Sequence, residues 1–242
     1  MAVSKFQKIN LILTLDCRCI IVAGGSGTRF GGDMPKQYRL LGGRPVLMHT
    51  VDAFRRLFAI DKILTVISES MKDYWLAECR RYGFEAGPIA FGGVTRWESV
   101  KNGLDALTDV GKETYVLVHD AARPCVSLEV ITGVIETLEG GAVGAVPVVE
   151  INDSMRRIGT AGNSVPVNRD EYRAVQTPQG FPYTVLRKAF EMPFDVNFTD
   201  EATMIERAGL GTVVLTHGSH HNIKITRLTD LKIAELLLKE NA

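Results

Sequence analysis

The run Cys19-Ile20-Ile21-Val22-Ala23-Gly24-Gly25-Ser26-Gly27-Thr28-Arg29-Phe30-Gly31-Gly32, followed by Pro35-Lys36-Gln37, decides how this chain is read. Five apolar residues end abruptly in glycines, the pattern of a buried strand that presents a loop to a ligand at its C-terminal end. Glycines there let backbone N–H groups approach an anion closely. Two familiar glycine-loop signatures are missing. Phe30 stands where G-x-G-x-x-G needs its third glycine, and the loop has no G-x-x-x-x-G-K-[ST]. What the loop carries instead is a pair of cations, Arg29 and Lys36, able to span a polyphosphate and to neutralise charge on a departing one. Ala23, Gly24, Gly25, Ser26 and Gly27 are the candidate backbone cradle.

Working outward, further apolar runs at Lys62–Ile67, Pro88–Phe91, Tyr115–His119, Ala142–Val149 and Thr212–Thr216 read as strands. Between them, amphipathic segments near Val46–Phe58, Lys72–Tyr82, Thr95–Leu107 and Leu128–Leu138 read as helices. That alternation predicts an α/β fold with a doubly wound, mostly parallel sheet, formed by one domain over residues 17–242. Ser154–Val175 breaks the pattern. Two short polar strands flank Gly159-Thr160-Ala161-Gly162-Asn163, so a β-hairpin arm is predicted at about 152–175. An arm this thin has no core of its own and is expected to pack on a partner subunit. Helices near Tyr183–Phe190 and Asp200–Ala208, a strand pair around Asn222–Thr226 and a helix from Thr229 to about Lys239 complete the prediction.

Of the 242 residues, 45% are hydrophobic and 23% charged, enough for a sizeable core. Lysine plus arginine equals aspartate plus glutamate at 28 each, so no global basic field points to nucleic acid or a membrane as partner. An anionic ligand must be held by local cations. Cys17 and Cys19 lack the paired spacing of a zinc site, and with Cys79 and Cys125 they read as reduced structural thiols. Lys5 and Lys8 ahead of Ile9–Leu15 faintly imitate a signal peptide, but the apolar stretch is short and no cleavage pattern follows. Residues 1–16 are therefore read as an extension outside the fold, and the protein as cytoplasmic.

Two more stretches carry chemistry. His119-Asp120-Ala121-Ala122-Arg123-Pro124 closes a predicted strand. An aspartate there suits Mg²⁺, directly or through water, beside phosphate oxygens. Arg123 either faces an anionic substrate or pairs with Asp120. In Phe91-Gly92-Gly93-Val94-Thr95-Arg96-Trp97-Glu98-Ser99-Val100, Thr95 and Glu98 fit a helix capping box, and Ser99 faces the same way as Thr95 or Arg96, within reach of a base or ribose.

Gly24–Lys36, Gly92–Ser99, His119–Pro124, Thr177-Pro178-Gln179, Thr199-Asp200-Glu201-Ala202 and Asn222-Ile223-Lys224-Ile225-Thr226 occur in one order. In that order the chain, from Cys19 to Leu238, resembles the 2-C-methyl-D-erythritol 4-phosphate cytidylyltransferase (IspD-type) family. The resemblance implies a Rossmann-like sheet of the nucleotide-diphospho-sugar transferase type. It also implies CMP transfer from CTP to a polyol phosphate, a divalent cation such as Mg²⁺, and a homodimer that exchanges the hairpin arm. Arg29 and Lys36 would stabilise the pentavalent transition state, while Arg169 and Lys224 would position the methylerythritol phosphate. Ala23, Gly24, Gly93 and Ser99 would line the cytidine pocket, and Asp120, Arg123, Thr177 and Thr199 would surround the sugar phosphate and metal. Two positions depart from the pattern: His221 stands where relatives commonly carry aspartate, and Thr28 where some carry a second arginine.

The nearest rival is ribitol-5-phosphate cytidylyltransferase, which would use the same loop and metal with a longer polyol. The run His119-Asp120-Ala121-Ala122-Arg123 more closely resembles the methylerythritol enzyme, since the sibling tends to carry a bulkier residue before the arginine. A nicotinamide-dependent dehydrogenase would need the third glycine and an acid about 20 residues further on; Asp52 comes too late. Retention of both Arg29 and Lys36 speaks against a non-catalytic scaffold.

Overall fold

The structure, a computed structural model, describes residues 14–25 and 34–240. Strand β1 (Cys17–Ala23) is followed by a tight hairpin, β2 (Leu40–Leu41) and β3 (Arg44–Pro45), and by helix α1 (Val46–Arg55). Then come β4 (Ile63–Ile67), α2 (Lys72–Tyr82), β5 (Ile89–Phe91), α3 (Arg96–Asp105), β6 (Tyr115–Asp120), α4 (Leu128–Glu139) and β7 (Ala145–Val149). After them β8 (Met155–Ile158) and β9 (Ser164–Val167) form a separate two-stranded antiparallel ribbon. The chain finishes with β10 (Ala174–Val175), β11 (Gln179–Pro182), α5 (Tyr183–Ala189), α6 (Glu201–Arg207), β12 (Val214–His217) and α7 (Leu228–Glu240).

The main sheet has the order β10-β7-β11-β6-β1-β4-β5, with β12 added on β7. β1 lies parallel between β4 and β6, β4 continues parallel to β5, and β12 runs parallel to β7. Every residue of β4 is buried, as a strand covered on both faces requires. Alternate side chains of β1 feed the two sides. Cys19 and Ile21 pack with Met48, Val51, Phe54, Trp75 and Val134 from α1, α2 and α4. Ile20 packs with Val100, Leu104, Leu186 and Met204 from α3, α5 and α6 on the opposite face. Each such side chain, fully buried, contributes about 1.5–3 kcal/mol of transfer free energy. A third cluster, with Leu41, Val46, Ile225 and Ala234, seats α7 beside the cavity described below.

Two findings differ from the sequence prediction. The first is β11, antiparallel between β6 and β7 in the middle of the sheet. Gln179-Gly180-Phe181-Pro182 looks like a turn, yet Gly180 is required for packing: a Cβ there would lie 2.5 Å from Val134 and 2.9 Å from Leu138. The second is a correction. Asn222–Thr226 forms no strand pair; it is an extended segment held by side chains and by the Ile225 N–H donating to the Ala122 carbonyl at 2.8 Å. The hairpin strands form where expected, and Ala174–Val175 returns to the main sheet on β7. Among the described residues, no helix is long and apolar enough to cross a membrane.

Candidate active site

A cavity of ≈ 710 Å³ opens where β1, β5 and β6 end. Val22–Gly25 follow from β1, Gly93–Arg96 from β5, and Asp120–Ala122 from β6. Lys36 and Gln37 come from the turn after the glycine loop, and Lys224, Thr226 and Arg227 from the segment before α7. A parallel sheet places ligands at this position. The Gln37 amide donates to the Ala23 carbonyl at 2.7 Å and to the Gly25 carbonyl at 3.0 Å, which ties the turn bearing Lys36 to the start of the loop.

The glycine stretch after β5 is shaped by helix capping. The Thr95 hydroxyl accepts from the Glu98 N–H at 3.0 Å, and the Glu98 carboxylate accepts from the Thr95 N–H at 2.8 Å, completing the expected box. Ser99 is buried. Its hydroxyl donates to the Thr95 carbonyl at 2.9 Å and accepts from the Gly93 N–H at 3.2 Å. A Cβ on Gly92 would come within 2.7 Å of that hydroxyl, and one on Gly24 within 3.0 Å, so the two glycine loops meet over Ser99.

The charged wall centres on Asp120. Arg96 Nε approaches one carboxylate oxygen at 3.3 Å, Lys224 Nζ the other at 2.6 Å, and Arg123 Nε lies 3.9 Å away. Burial pushes the Asp120 carboxyl up, but attraction from Arg96, Lys224 and Arg123 overrides it and holds the group well below the usual carboxylate range. Burial works against the Arg96 charge, yet Glu201 and then Asp120 hold that guanidinium firmly protonated. Its two terminal nitrogens donate to the Glu201 carboxylate at 2.5 and 3.0 Å. Glu201 itself is 1% exposed.

Behind Asp120 lies a neutral histidine. His119 Nε2 faces the Arg123 carbonyl at 3.1 Å and therefore carries the proton; Nδ1 then accepts from the Thr177 hydroxyl, also at 3.1 Å. The same hydroxyl accepts from the Asp120 N–H at 3.1 Å. Burial lowers the His119 pKa to about 4. The side-chain amide of Asn222, fully buried, donates to the Thr177 carbonyl at 2.8 Å, and the Asn222 backbone carbonyl accepts from Arg123 at 2.7 Å. These bonds anchor the segment that carries Lys224.

The family model described as 2-C-methyl-D-erythritol 4-phosphate cytidylyltransferase matches residues 17–240. The chain belongs to this family. It is 43% identical over 220 residues to the Bacteroides thetaiotaomicron protein of that name, covering 90% of this chain and 98% of the relative. Identity to the Bacteroides fragilis counterpart is 42% over 225 residues, covering 92% and 100%. Among solved structures, the Francisella tularensis 2-C-methyl-D-erythritol 4-phosphate cytidylyltransferase superposes with a TM-score of 0.76 at 32% identity, covering 92% of this chain and 99% of that one.

Of the site residues expected from the sequence, Ala23, Gly24, Gly25, Lys36, Gly93, Ser99, Asp120 and Lys224 line one cavity. Thr177 and Arg123 support Asp120 from behind. Arg169 and Thr199 do not line the cavity: Arg169 sits on the ribbon's return, bonded to the Asn152 carbonyl, and Thr199 is exposed ahead of α6. Ser26, Gly27, Thr28 and Arg29 lie outside the described residues. His221 is exposed in a turn, its N–H donating to Ser219. Sequence reasoning missed Gln37, Arg96 and Glu201. All three stand inside quoted motifs, but the Arg96–Glu201 pairing spans 105 positions and shows only in the fold.

Proposed function

We propose that this protein transfers CMP from CTP to 2-C-methyl-D-erythritol 4-phosphate, forming 4-diphosphocytidyl-2-C-methylerythritol and pyrophosphate for isoprenoid precursor synthesis. Family membership supports the reading, and one observation carries it: a glycine-edged cavity at the strand ends lined by Lys36 and by an Asp120–Lys224–Arg96 cluster. A phosphate oxygen of the polyol phosphate attacks the α-phosphorus of CTP. A new P–O bond forms, the α–β bridging bond breaks, and pyrophosphate leaves with the electron pair. A phosphate monoester is already anionic near neutral pH, so no general base is needed. His119 is neutral with both ring nitrogens engaged, and takes no part in proton transfer.

In this reading Lys36, with Arg29, neutralises charge on the triphosphate, and Lys224 meets the polyol phosphate. Arg169 reaches the same phosphate from the arm of a second subunit. Exposed apolar side chains on and beside the ribbon (Ile158, Val165, Tyr172, Val175) support a homodimer built through it. Among the described residues no group of three or more His, Cys, Asp or Glu forms a metal cage. Asp120 is a single carboxylate beside the cavity, which fits Mg²⁺ held mainly by substrate phosphates with one protein oxygen or a bridging water. When bound, that ion supplies further charge neutralisation on the phosphates. A cytoplasmic setting belongs to the same reading, supported by four cysteines that are buried and unpaired.

The test is pyrophosphate release from each of the four nucleoside triphosphates, with Mg²⁺ and either methylerythritol phosphate or ribitol 5-phosphate. CTP with methylerythritol phosphate is expected to exceed every other pair by about tenfold or more. Equal rates with all bases, or a preference for the ribitol ester, would overturn the assignment.

A further inference from the structure

Arg96 is gripped from two sides, and the two grips differ. Its Nε meets a single oxygen of Asp120 at 3.3 Å, while its terminal nitrogens form a two-pronged pair with Glu201 at 2.5 and 3.0 Å. The second oxygen of Asp120 is thereby left to Lys224, at 2.6 Å. Arginine prefers to meet a carboxylate with two parallel N–H bonds. Without Glu201, the freed edge of Arg96 would compete for the second Asp120 oxygen and displace the Lys224 ammonium. Glu201 is 1% exposed and does not line the cavity. It acts only through Arg96.

We propose that Glu201 is a positioning residue: by occupying the terminal nitrogens of Arg96 it reserves one oxygen of Asp120 for Lys224 and so fixes the cation that receives the phosphate monoester. The proposal rests on the transferase reading above for the identity of that monoester. Three cations (Arg96, Arg123, Lys224) face two carboxylates (Asp120, Glu201) in this cluster, leaving one net positive charge for an anionic ligand. The Gln179 amide holds α6 in place by donating to Asp200 at 2.8 Å while its carbonyl accepts from the Ala202 N–H at 3.2 Å. Glu201 therefore enters the cluster from a fixed helix start.

The experiment compares wild type, Glu201→Gln and Glu201→Asp in the full chain. It measures steady-state pyrophosphate release and, by calorimetry, binding of methylerythritol phosphate in the presence of a non-hydrolysable CTP analogue. Glu201→Gln is expected to raise KM for methylerythritol phosphate about tenfold or more while KM for CTP stays within about threefold, and Glu201→Asp to fall between. Equal shifts for both substrates, or none, would reduce Glu201 to a structural role and overturn the proposal. If Glu201→Gln does not fold, Arg96→Gln breaks the same link from the half-buried side, and it must show the same split; an unchanged KM for the monoester there contradicts the proposal. If the wild type releases no pyrophosphate from CTP, the transferase reading fails. The inference is then judged by binding of inorganic phosphate, where Glu201→Gln must again lose about tenfold relative to wild type and unchanged binding overturns it.

Discussion

The cavity wall and the hairpin ribbon both present cations, in opposite surroundings. Lys224 and Arg96 sit against Asp120, and Asp120 is held by Thr177 and Arg123. Arg169, by contrast, is exposed, bonded to one backbone carbonyl and 4.0 Å from its neighbour Asp170. The wall is a preorganised site, since ordering its charges is done during folding. The ribbon is not, and in the proposed dimer Arg169 would gain a fixed position from the second subunit. The contrast is between charge held by the fold and charge left exposed on a ribbon.

The sharpest break of this contrast is Asp120→Ala. It strips the shared counter-ion from three cations, and a destabilisation of about 3–5 kcal/mol is expected from denaturant unfolding, with activity lost. A variant as stable as wild type would mean the wall is not the electrostatic keystone described. Next in size is a pair on opposite sides of the comparison, Lys36→Ala and Arg169→Ala. Each is expected to lower turnover by about 10² or more. Arg169→Ala should leave the melting temperature within about 2 °C of wild type, because the residue is exposed. Mixing the two inactive proteins should restore about a quarter of wild-type activity, since half the dimers would pair an intact arm with an intact pocket. No recovery after subunit exchange would place Arg169 in its own subunit's site.

A smaller effect separates wall from ribbon by pH. His119 has its pKa lowered by burial to about 4, below the ordinary 6.5. The unfolded chain therefore binds more protons than the folded one between those values. Stability is complete above about pH 6.5 and falls as pH drops toward 4, by on the order of 3 kcal/mol. Asp120, whose pKa is depressed, adds its loss only below its ordinary 3.8. His119→Gln should flatten the slope between pH 6.5 and 4 in denaturant titrations, and an unchanged slope would remove His119 as its source. The smallest effect is Thr95→Ala, which removes one half of the capping box. About 1 kcal/mol of stability is expected to go, with a melting shift of a few degrees.

Much of this was legible in the sequence, and the illegible part has physical causes. β1, β4, β5 and β6 read directly because buried parallel strands are continuous apolar runs. Thr95 and Glu98 read as a capping box because that motif is local. β11 was hidden because Gly180 and Pro182 carry turn signals, while its need for glycine comes from Val134 and Leu138 on a helix some 40 positions earlier. Asn222–Thr226 looked like strands, but the buried Asn222 amide spends its hydrogen bonds on Thr177 and Gln176 instead of on a ladder. Cavity residues next to glycines were found one by one from their motifs. Arg96 and Glu201 were not, since each looks like an ordinary surface helix charge until the fold brings them together.

In the proposed reaction the cavity edged by the glycine loop holds the nucleotide with its phosphates toward Lys36. A crystal structure with a non-hydrolysable CTP analogue tests it most directly. The triphosphate is expected against Lys36 and the loop after β1, with the cytosine near Gly93. A triphosphate bound away from Lys36, or a base seated outside the cavity, would contradict it.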